Sequence, residues 1–383
     1  MTDDKFYTEE YKKLQWLRDS INKEEALYFY GAGLRSEEIL QMQKEGFPFL
    51  RRPDGFLITQ KNSGMGHDDE LDGIPIYELS QVDLSADMIT VVVIAMDIYH
   101  EEIRESLKGA GCRHIYFLTD GMEHLLTREF LKFYFDKHKL SGEFLPFAAD
   151  YALDPEKEGR DIRVYRVMCE RDVQVKNPFQ RVSWISDLQA GAAGAGKRIA
   201  AFCDDQGENI SRLNSYYNEL TGLYWVWKNT KHAYSGICHY RRRFESEIAL
   251  VPIIEHTADV ILPLPFVVGD SLAVYYQHWG EKAYYEEMLR VIGELFPDYY
   301  EMACWCATHI VFIPNNICIA RRDILDEYCR FLFGVVDEVE RRMEAYPGRK
   351  QSRCWLSEHV TTIYFMANLR KFRIAFSNLK RAW

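Results

Sequence analysis

Residues 204–244 read DDQGENISRLNSYYNELTGLYWVWKNTKHAYSGICHYRRRF. Ser211 or Asn214 can cap a helix running to about Lys228, because Tyr217, Leu220, Tyr224 and Trp227 recur at helical spacing and Asn229 is a natural stop. The segment Tyr234–Phe244 then has the length and the Ile, Cys, Tyr and Phe content of a strand. Alternation along one strand would put Arg241 and Arg243 on the side of His239, with Tyr240 and Arg242 on the other. Arginines that directly follow an apolar strand stand where open α/β sheets carry their ligand-binding loops.

The chemistry of this stretch is mixed in an informative way. Arginine presents a planar fork of donors suited to phosphate oxygens, carboxylates and amides satisfy sugar hydroxyls, and Trp or Tyr faces stack on rings. Each feature alone has a plainer explanation: a Tyr/Trp stripe is usually core, and an arginine run is usually a solvated face. The combination points to a sugar joined to a diphosphate.

Working outward toward the N-terminus, Ala26–Tyr30 reads as a strand, followed by Gly31-Ala32-Gly33 and a helical pattern through Leu34, Ile39, Leu40 and Met42 that ends at Gly46. Gly55–Thr59 and the wholly apolar Ile89–Met96 are further strands, then a helix His100–Lys108, stop signals at Gly109 and Gly111, and a strand His114–Leu118. This alternation predicts a Rossmann-like parallel sheet over residues 1–140. The Gly31-Ala32-Gly33 turn lacks the third glycine of a dinucleotide fingerprint, and a tight strand-to-helix turn alone would also want glycine. Residues 141–160 mix Gly, Pro, Asp and Glu with few periodic apolar positions and are expected to be a linker, leaving 161–383 as a second domain.

The bulk properties agree with two domains. A chain of 383 residues exceeds the size at which single cores usually split. Its net charge of -11 argues against nucleic acid as a partner, since phosphate backbones reward basic surfaces. The sequence has no apolar run long enough to span a bilayer and no apolar stretch of signal-peptide type at Met1–Lys5, so a cytoplasmic place of action is expected. Nine scattered cysteines fit reduced, buried thiols. Cys304 and Cys306 lack the companions of a zinc site. The run from Asn368 to Trp383 is basic and apolar together, which is compatible with peripheral contact at the inner face of a membrane and equally with a last strand or helix that has a basic outer face.

Several blocks in order resemble one bacterial family: Asp205–Ser211 (DQGENIS), Asn214, Glu219–Thr221, Tyr224–Asn229 (YWVWKN), His239–Arg242 (HYRR), Asn315–Ile319 (NNICI), Tyr328–Phe333 and Trp355–His359 (WLSEH). The family is that of uncharacterised domain 4422, glycosyltransferase-like proteins of capsule, exopolysaccharide and O-antigen clusters, and the resemblance covers about residues 163–383. The last block usually reads Leu-Ser-Glu-Arg-Leu, and here His359 takes the arginine's place, so the resemblance does not extend to a second cation at that point.

The resemblance implies an α/β protein with a GT-A-like nucleotide-sugar-binding catalytic domain behind the Rossmann-like one. It implies donor contacts from Asp204, Asp205, Asn209, Asn214 and Glu219, and further ones from Trp225, Lys228, His239, Arg241 and Arg242. No Asp-x-Asp follows the aromatic helix, and His239–Arg242 stands where that element is expected, so Arg241 and Arg242 are assigned to the leaving diphosphate. A divalent cation, Mn or Mg, is an option rather than a requirement. Asp205 is its candidate ligand, and the Asp204-Asp205 pair can equally bind a ribose or cap the next helix. Asn315 and Asn316 are expected on the acceptor side, as is Asp259, although Asp259 and Asp270 both flank the strand Val260–Leu264 and either can be a turn residue. Glu358 is the leading candidate for a general base and Asp270 the reserve, with a purely structural Glu358 left open. The expected partners are a nucleotide-sugar donor and a glycan or lipid-linked oligosaccharide acceptor. A non-catalytic carbohydrate- or nucleotide-binding protein with a degenerate fold is the alternative.

Overall fold

Ile89–Val93 forms a strand whose Val91, Val92 and Val93 are wholly buried, as its unbroken apolar sequence requires of a strand covered on both faces. It lies parallel to Ala26–Tyr30, which in turn lies parallel to Gly55–Ile58 on its other side. Ile74–Glu78 and His114–Phe117 extend this parallel sheet outward, and the short strand Glu70–Leu71 closes one edge antiparallel. Helices Leu34–Lys44, His100–Gly109 and Asp120–Lys137 alternate with the strands, and Lys5–Ser20 precedes them. The last of the three starts at Thr119, whose hydroxyl accepts from the Met122 amide at 3.2 Å, a side-chain N-cap.

The computed structural model describes residues 5–21, 25–60, 69–140, 161–174, 183–244, 258–346 and 353–381. The chain divides into two units, one built on the residues up to Lys139 together with Val267–Gly269, the other on Leu140–Phe266 and Asp270–Trp383. The expected linker, 141–160, lies outside the described residues.

The second unit is built on a mixed sheet. Tyr234–His239 runs parallel to Ile162–Met168, followed outward by Ile185–Gln189 and Phe202–Cys203, all parallel. On its other side Cys318–Arg321 is antiparallel, then Val260–Pro263 and Ile374–Ser377. Ile162, Val164, Trp184, Tyr234, Cys238 and Ile319 form one face's core. The amphipathic helix Arg322–Arg342 buries Leu325, Tyr328, Cys329, Leu332, Val335 and Val336.

Two expectations about the central stretch are corrected here. The aromatic helix is broken: Asn214–Tyr217 is a single turn, Asn218 has a positive φ of 46° with ψ -123°, and the helix proper is Leu220–Asn229. The Asn214 side chain, donating to the Asn218 carbonyl at 2.7 Å, holds the turn at the break. The strand Tyr234–Phe244 is likewise two strands. The chain reverses at Tyr240 and Arg241, and Arg242–Phe244 folds back with Arg242 opposite His239. That hairpin puts Arg242, rather than Arg241 and Arg243, on the side of His239, because directly paired residues of antiparallel strands share a face.

Among the described residues no helix is long and apolar enough to cross a membrane. Part of the basic C-terminal run is structural: Leu379–Arg381 is a strand paired with Arg242–Phe244, and Lys371 bridges to Glu327 at 3.0 Å.

Candidate functional site

The strands Ile162–Met168, Ile185–Gln189, Phe202–Cys203 and Tyr234–His239 are parallel, so their carboxyl ends share one edge of the sheet, the usual place for ligands in open α/β folds. Because Cys318 registers with Ile237, the turn ahead of the antiparallel strand, carrying Asn315 and Asn316, comes to that same edge. Both asparagines are left-handed, at φ 72° and 51°, which reverses the chain within two residues.

At the hairpin, the His239 ring packs tilted against Tyr240 with centroids 4.4 Å apart, and its Nδ1 accepts from the Arg241 amide at 3.4 Å. Burial, followed by the charges of Arg242 and Arg241, pushes the imidazole down to about 4. His239 is therefore neutral near pH 7 and offers an uncharged ring beside two guanidinium groups. Arg241 is exposed and lies over the Tyr240 ring at 5.0 Å. Arg243 is buried and faces the other way, near Cys238 and Arg166. Arg166 is itself held by Asp187 at 2.6 Å.

Glu358 comes from the helix Arg353–Ala367 and is partly exposed. Burial pushes its carboxyl up to about 8, the nearby charge of Glu219 adds to the rise, and the Asn315 backbone amide and the Arg242 charge oppose it. Glu358 thus meets three positions that are distant from it in sequence, Glu219, Arg242 and Asn315, and the hairpin sets His239 opposite Arg242. Glu219 is fixed from two sides, accepting from Asn316 Nδ2 at 3.1 Å and from the Cys354 thiol at 3.2 Å. Asn316 is fully buried; it also donates to Ser357 Oγ at 2.9 Å and accepts from Thr361 Oγ1 at 3.0 Å. This buried network fixes the Glu219 carboxylate and ties it to the helix that carries Glu358.

Asp204 holds the loop after Ile185–Gln189. Fully buried, it accepts from the amides of Gly191 at 2.9 Å and Ala192 at 3.0 Å and from the Ser211 hydroxyl. Asn214 closes over the same loop, donating to Asn218 O at 2.7 Å and Thr221 Oγ1 at 3.1 Å. Gly191 is needed there: its φ is +66°, and a Cβ would lie 2.6 Å from Asn214 Oδ1.

Asp205 is forked by Arg198, one arm at 2.8 Å, and that guanidinium holds its carboxyl below the usual range. Asn209 folds back onto the carbonyls of Gly207 at 2.8 Å and Asp205 at 3.3 Å. Trp225 is core, edge-on to Tyr165, with its indole N–H on Gln206 O at 2.8 Å. Lys228 lies over Trp227 at 3.9 Å and bridges to Glu208 at 3.0 Å. These residues thus fasten the 204–209 loop to the helix Leu220–Asn229.

Among the described residues no group of three or more His, Cys, Asp or Glu side chains is arranged to hold a metal ion. The donor set at Asp204 and Asp205 does not fit a cation as it stands, since one carboxylate is consumed by backbone amides and the other by a guanidinium.

Asp259 lies apart from the edge, and Asp270 follows the carboxyl end of Val260–Pro263. Asp259 precedes Val260–Pro263 at the opposite end of the strands, where Arg321 at 2.6 Å and Arg373 at 3.0 Å clasp it. Asp270 is exposed and its Oδ1 accepts from the Ser271 amide at 2.6 Å, the role of a turn residue. Conversely, Asp172 was not singled out from sequence. It sits after Ile162–Met168, accepts from the Cys169 amide at 2.8 Å, and pairs with the Tyr240 hydroxyl beside His239. Its only sequence signal is its place just beyond an apolar strand.

The family model for the domain of unknown function DUF4422 matches residues 172–369, just over half of the chain. The chain belongs to the DUF4422 family. The DUF4422 region contains the edge residues from Asp172 to Glu358, while the strand Ile162–Met168 precedes it. A solved structure, the apo form of the bifunctional glycosyltransferase WbbM, matches with a TM-score of 0.51 at 21% identity over 58% of this chain and 45% of that one. The chain therefore spans less than half of that protein's length, and the likeness establishes a mixed, parallel-rich α/β fold of the GT-A-like kind for this DUF4422 member. No curated protein matches the chain.

Proposed function

We propose that the chain is a glycosyltransferase that moves a sugar from a nucleoside-diphosphate donor to a glycan or lipid-linked oligosaccharide in bacterial surface-polysaccharide synthesis, acting at the cytoplasmic face. The observation that carries this reading is the meeting of Glu358, Glu219 and Arg242 at the carboxyl edge of the parallel strands, with Asn316 tying Glu219 to the helix of Glu358; burial there pushes the Glu358 carboxyl up to about 8. A carboxylate whose pKa lies near neutrality is matched to taking a proton from a hydroxyl, and a guanidinium nearby is matched to a departing phosphate.

In this account the diphosphate lies against Arg241 and Arg242, with the neutral His239 donating or accepting one hydrogen bond. Glu358, in its ionised form, takes the proton of the acceptor hydroxyl as that oxygen bonds to the anomeric carbon. The bond from that carbon to the phosphate oxygen breaks, and the electron pair leaves on the nucleoside diphosphate. Glu219, held by Asn316 and Cys354, raises the basicity of Glu358 through like charge. The Asp204 and Gly191 loop supplies a rigid wall rather than a ligand.

The engaged state of Asp204 and Asp205 favours one second reading, a binding protein without turnover. Incubation with UDP-, GDP- and dTDP-sugars separates the two. Slow release of free nucleoside diphosphate supports the transferase, and binding without release supports the binder.

A further inference from the structure

Trp279 and Trp355 stack face to face, with ring centroids 4.7 Å apart and planes within 5°. Yet they remain 48% and 39% exposed, whereas Trp184 and Trp225 are each 6% exposed. Stacking hides one face of each indole and leaves the rest in water, an apolar patch that burial alone does not explain. The pair is also built to stay in place. Trp279 follows the helix Leu272–Tyr276, its amide donating to Tyr276 O at 2.9 Å. At Gly280 the chain passes so close to the buried Tyr276 ring that a Cβ would lie 2.3 Å from it. Trp355 stands next to Cys354, whose thiol is fixed on Glu219.

The position matters as much as the exposure. Trp355 and Glu358 are three residues apart on one helix, so they share a face, separated by about 4.5 Å of rise. That is close to the length of one sugar ring. Exposed Gln277 and His278 stand just before Trp279 and can meet ring hydroxyls.

We propose that Trp279 and Trp355 form an acceptor subsite, a platform on which a pyranose ring of the glycan lays its C–H face, one sugar along from the unit whose hydroxyl reaches Glu358. This rests on the transferase reading for its direction, though not for its existence. A pyranose has an apolar face and a hydroxyl rim, and an indole pair with polar neighbours complements both.

The test uses the full chain and free oligosaccharides of glucose, galactose, mannose and rhamnose, read by indole fluorescence and saturation-transfer NMR, with nucleoside-diphosphate binding measured in parallel by calorimetry. The subsite predicts that at least one oligosaccharide binds the wild type, that Trp355→Ala and Trp279→Ala weaken it by roughly tenfold, that Trp355→Phe restores part of the loss, and that nucleotide affinity stays unchanged throughout. Failure of every oligosaccharide to bind the wild type, or equal binding by both alanine variants, overturns the subsite. A wild type that binds an oligosaccharide in this tryptophan-dependent way but no nucleoside diphosphate would instead overturn the donor assignment and leave the platform standing.

Discussion

Asn316 donates through Nδ2 to Oε1 of Glu219 at 3.1 Å, and in doing so ties the turn before Cys318–Arg321 to the start of the helix Leu220–Asn229. Its other donor reaches Ser357 and its carbonyl receives Thr361. Asn316→Ala leaves buried partners on two further elements without their bonds, and the expected cost is about 2–3 kcal/mol of unfolding free energy in urea denaturation. A loss below about 0.5 kcal/mol would mean that the network does not hold Glu219 in place.

The raised carboxyl of Glu358 has a consequence for stability that can be read without any substrate. In the folded chain the group keeps its proton up to about pH 8, while in the unfolded chain it ionises near the ordinary glutamate value of about 4.3. A raised acid stabilises the fold relative to an ionised one at low pH, and that contribution is lost as pH rises through the folded value. Glu358→Gln should therefore match the wild type near pH 4 and exceed it near pH 9 by on the order of 2 kcal/mol, a figure discounted for partial exposure. A difference between variant and wild type that is the same at both pH values would contradict the elevated pKa.

Arg241 and Arg242 are assigned to the diphosphate. Loss of one charge-assisted contact should weaken nucleoside-diphosphate binding by roughly tenfold to a hundredfold in calorimetry, for Arg241→Ala and Arg242→Ala alike. The salt dependence of binding should fall with each substitution. Unchanged affinity in both variants removes the hairpin from the donor site.

Asp259 serves as a control at the far end of the sheet. Burial acts to raise its carboxyl, but the hydrogen bonds of Arg373 and the charge of Arg321 more than offset this and hold it below the ordinary value. Because Arg321 and Arg373 are themselves 41% and 54% exposed and can rehydrate, Asp259→Asn should cost only about 1–2 kcal/mol in thermal or urea denaturation. Nucleotide and glycan binding should be unaffected, and a change in either would return Asp259 to the acceptor side.

What the sequence made legible was local. The strand Ala26–Tyr30, the apolar Ile89–Val93 and the alternation around them follow from burial on both faces. The blocks around Glu219, His239, Asn315 and Glu358 were each visible as candidates. What it hid was long-range or carried no turn signal. Tyr240 and Arg241 reverse the chain without Gly, Pro or Asn, so apolar continuity suggested one strand where there are two. Asp259 looked available because its partners Arg321 and Arg373 lie 62 and 114 residues away. Trp225 and Lys228 sit in a matched block, yet their partners are Tyr165, Gln206 and Glu208, which pattern alone does not select. Trp279 has no meaning in sequence until the fold sets it against Trp355.

The most direct test follows release of nucleoside diphosphate from a bound donor sugar across pH, in the wild type and in Glu358→Gln. The account predicts a wild-type rate that climbs about tenfold per pH unit and levels above roughly pH 8, and a variant that still binds the nucleotide but releases it about a hundredfold more slowly with no such climb. A variant that turns over at the wild-type rate with the same pH profile would contradict it.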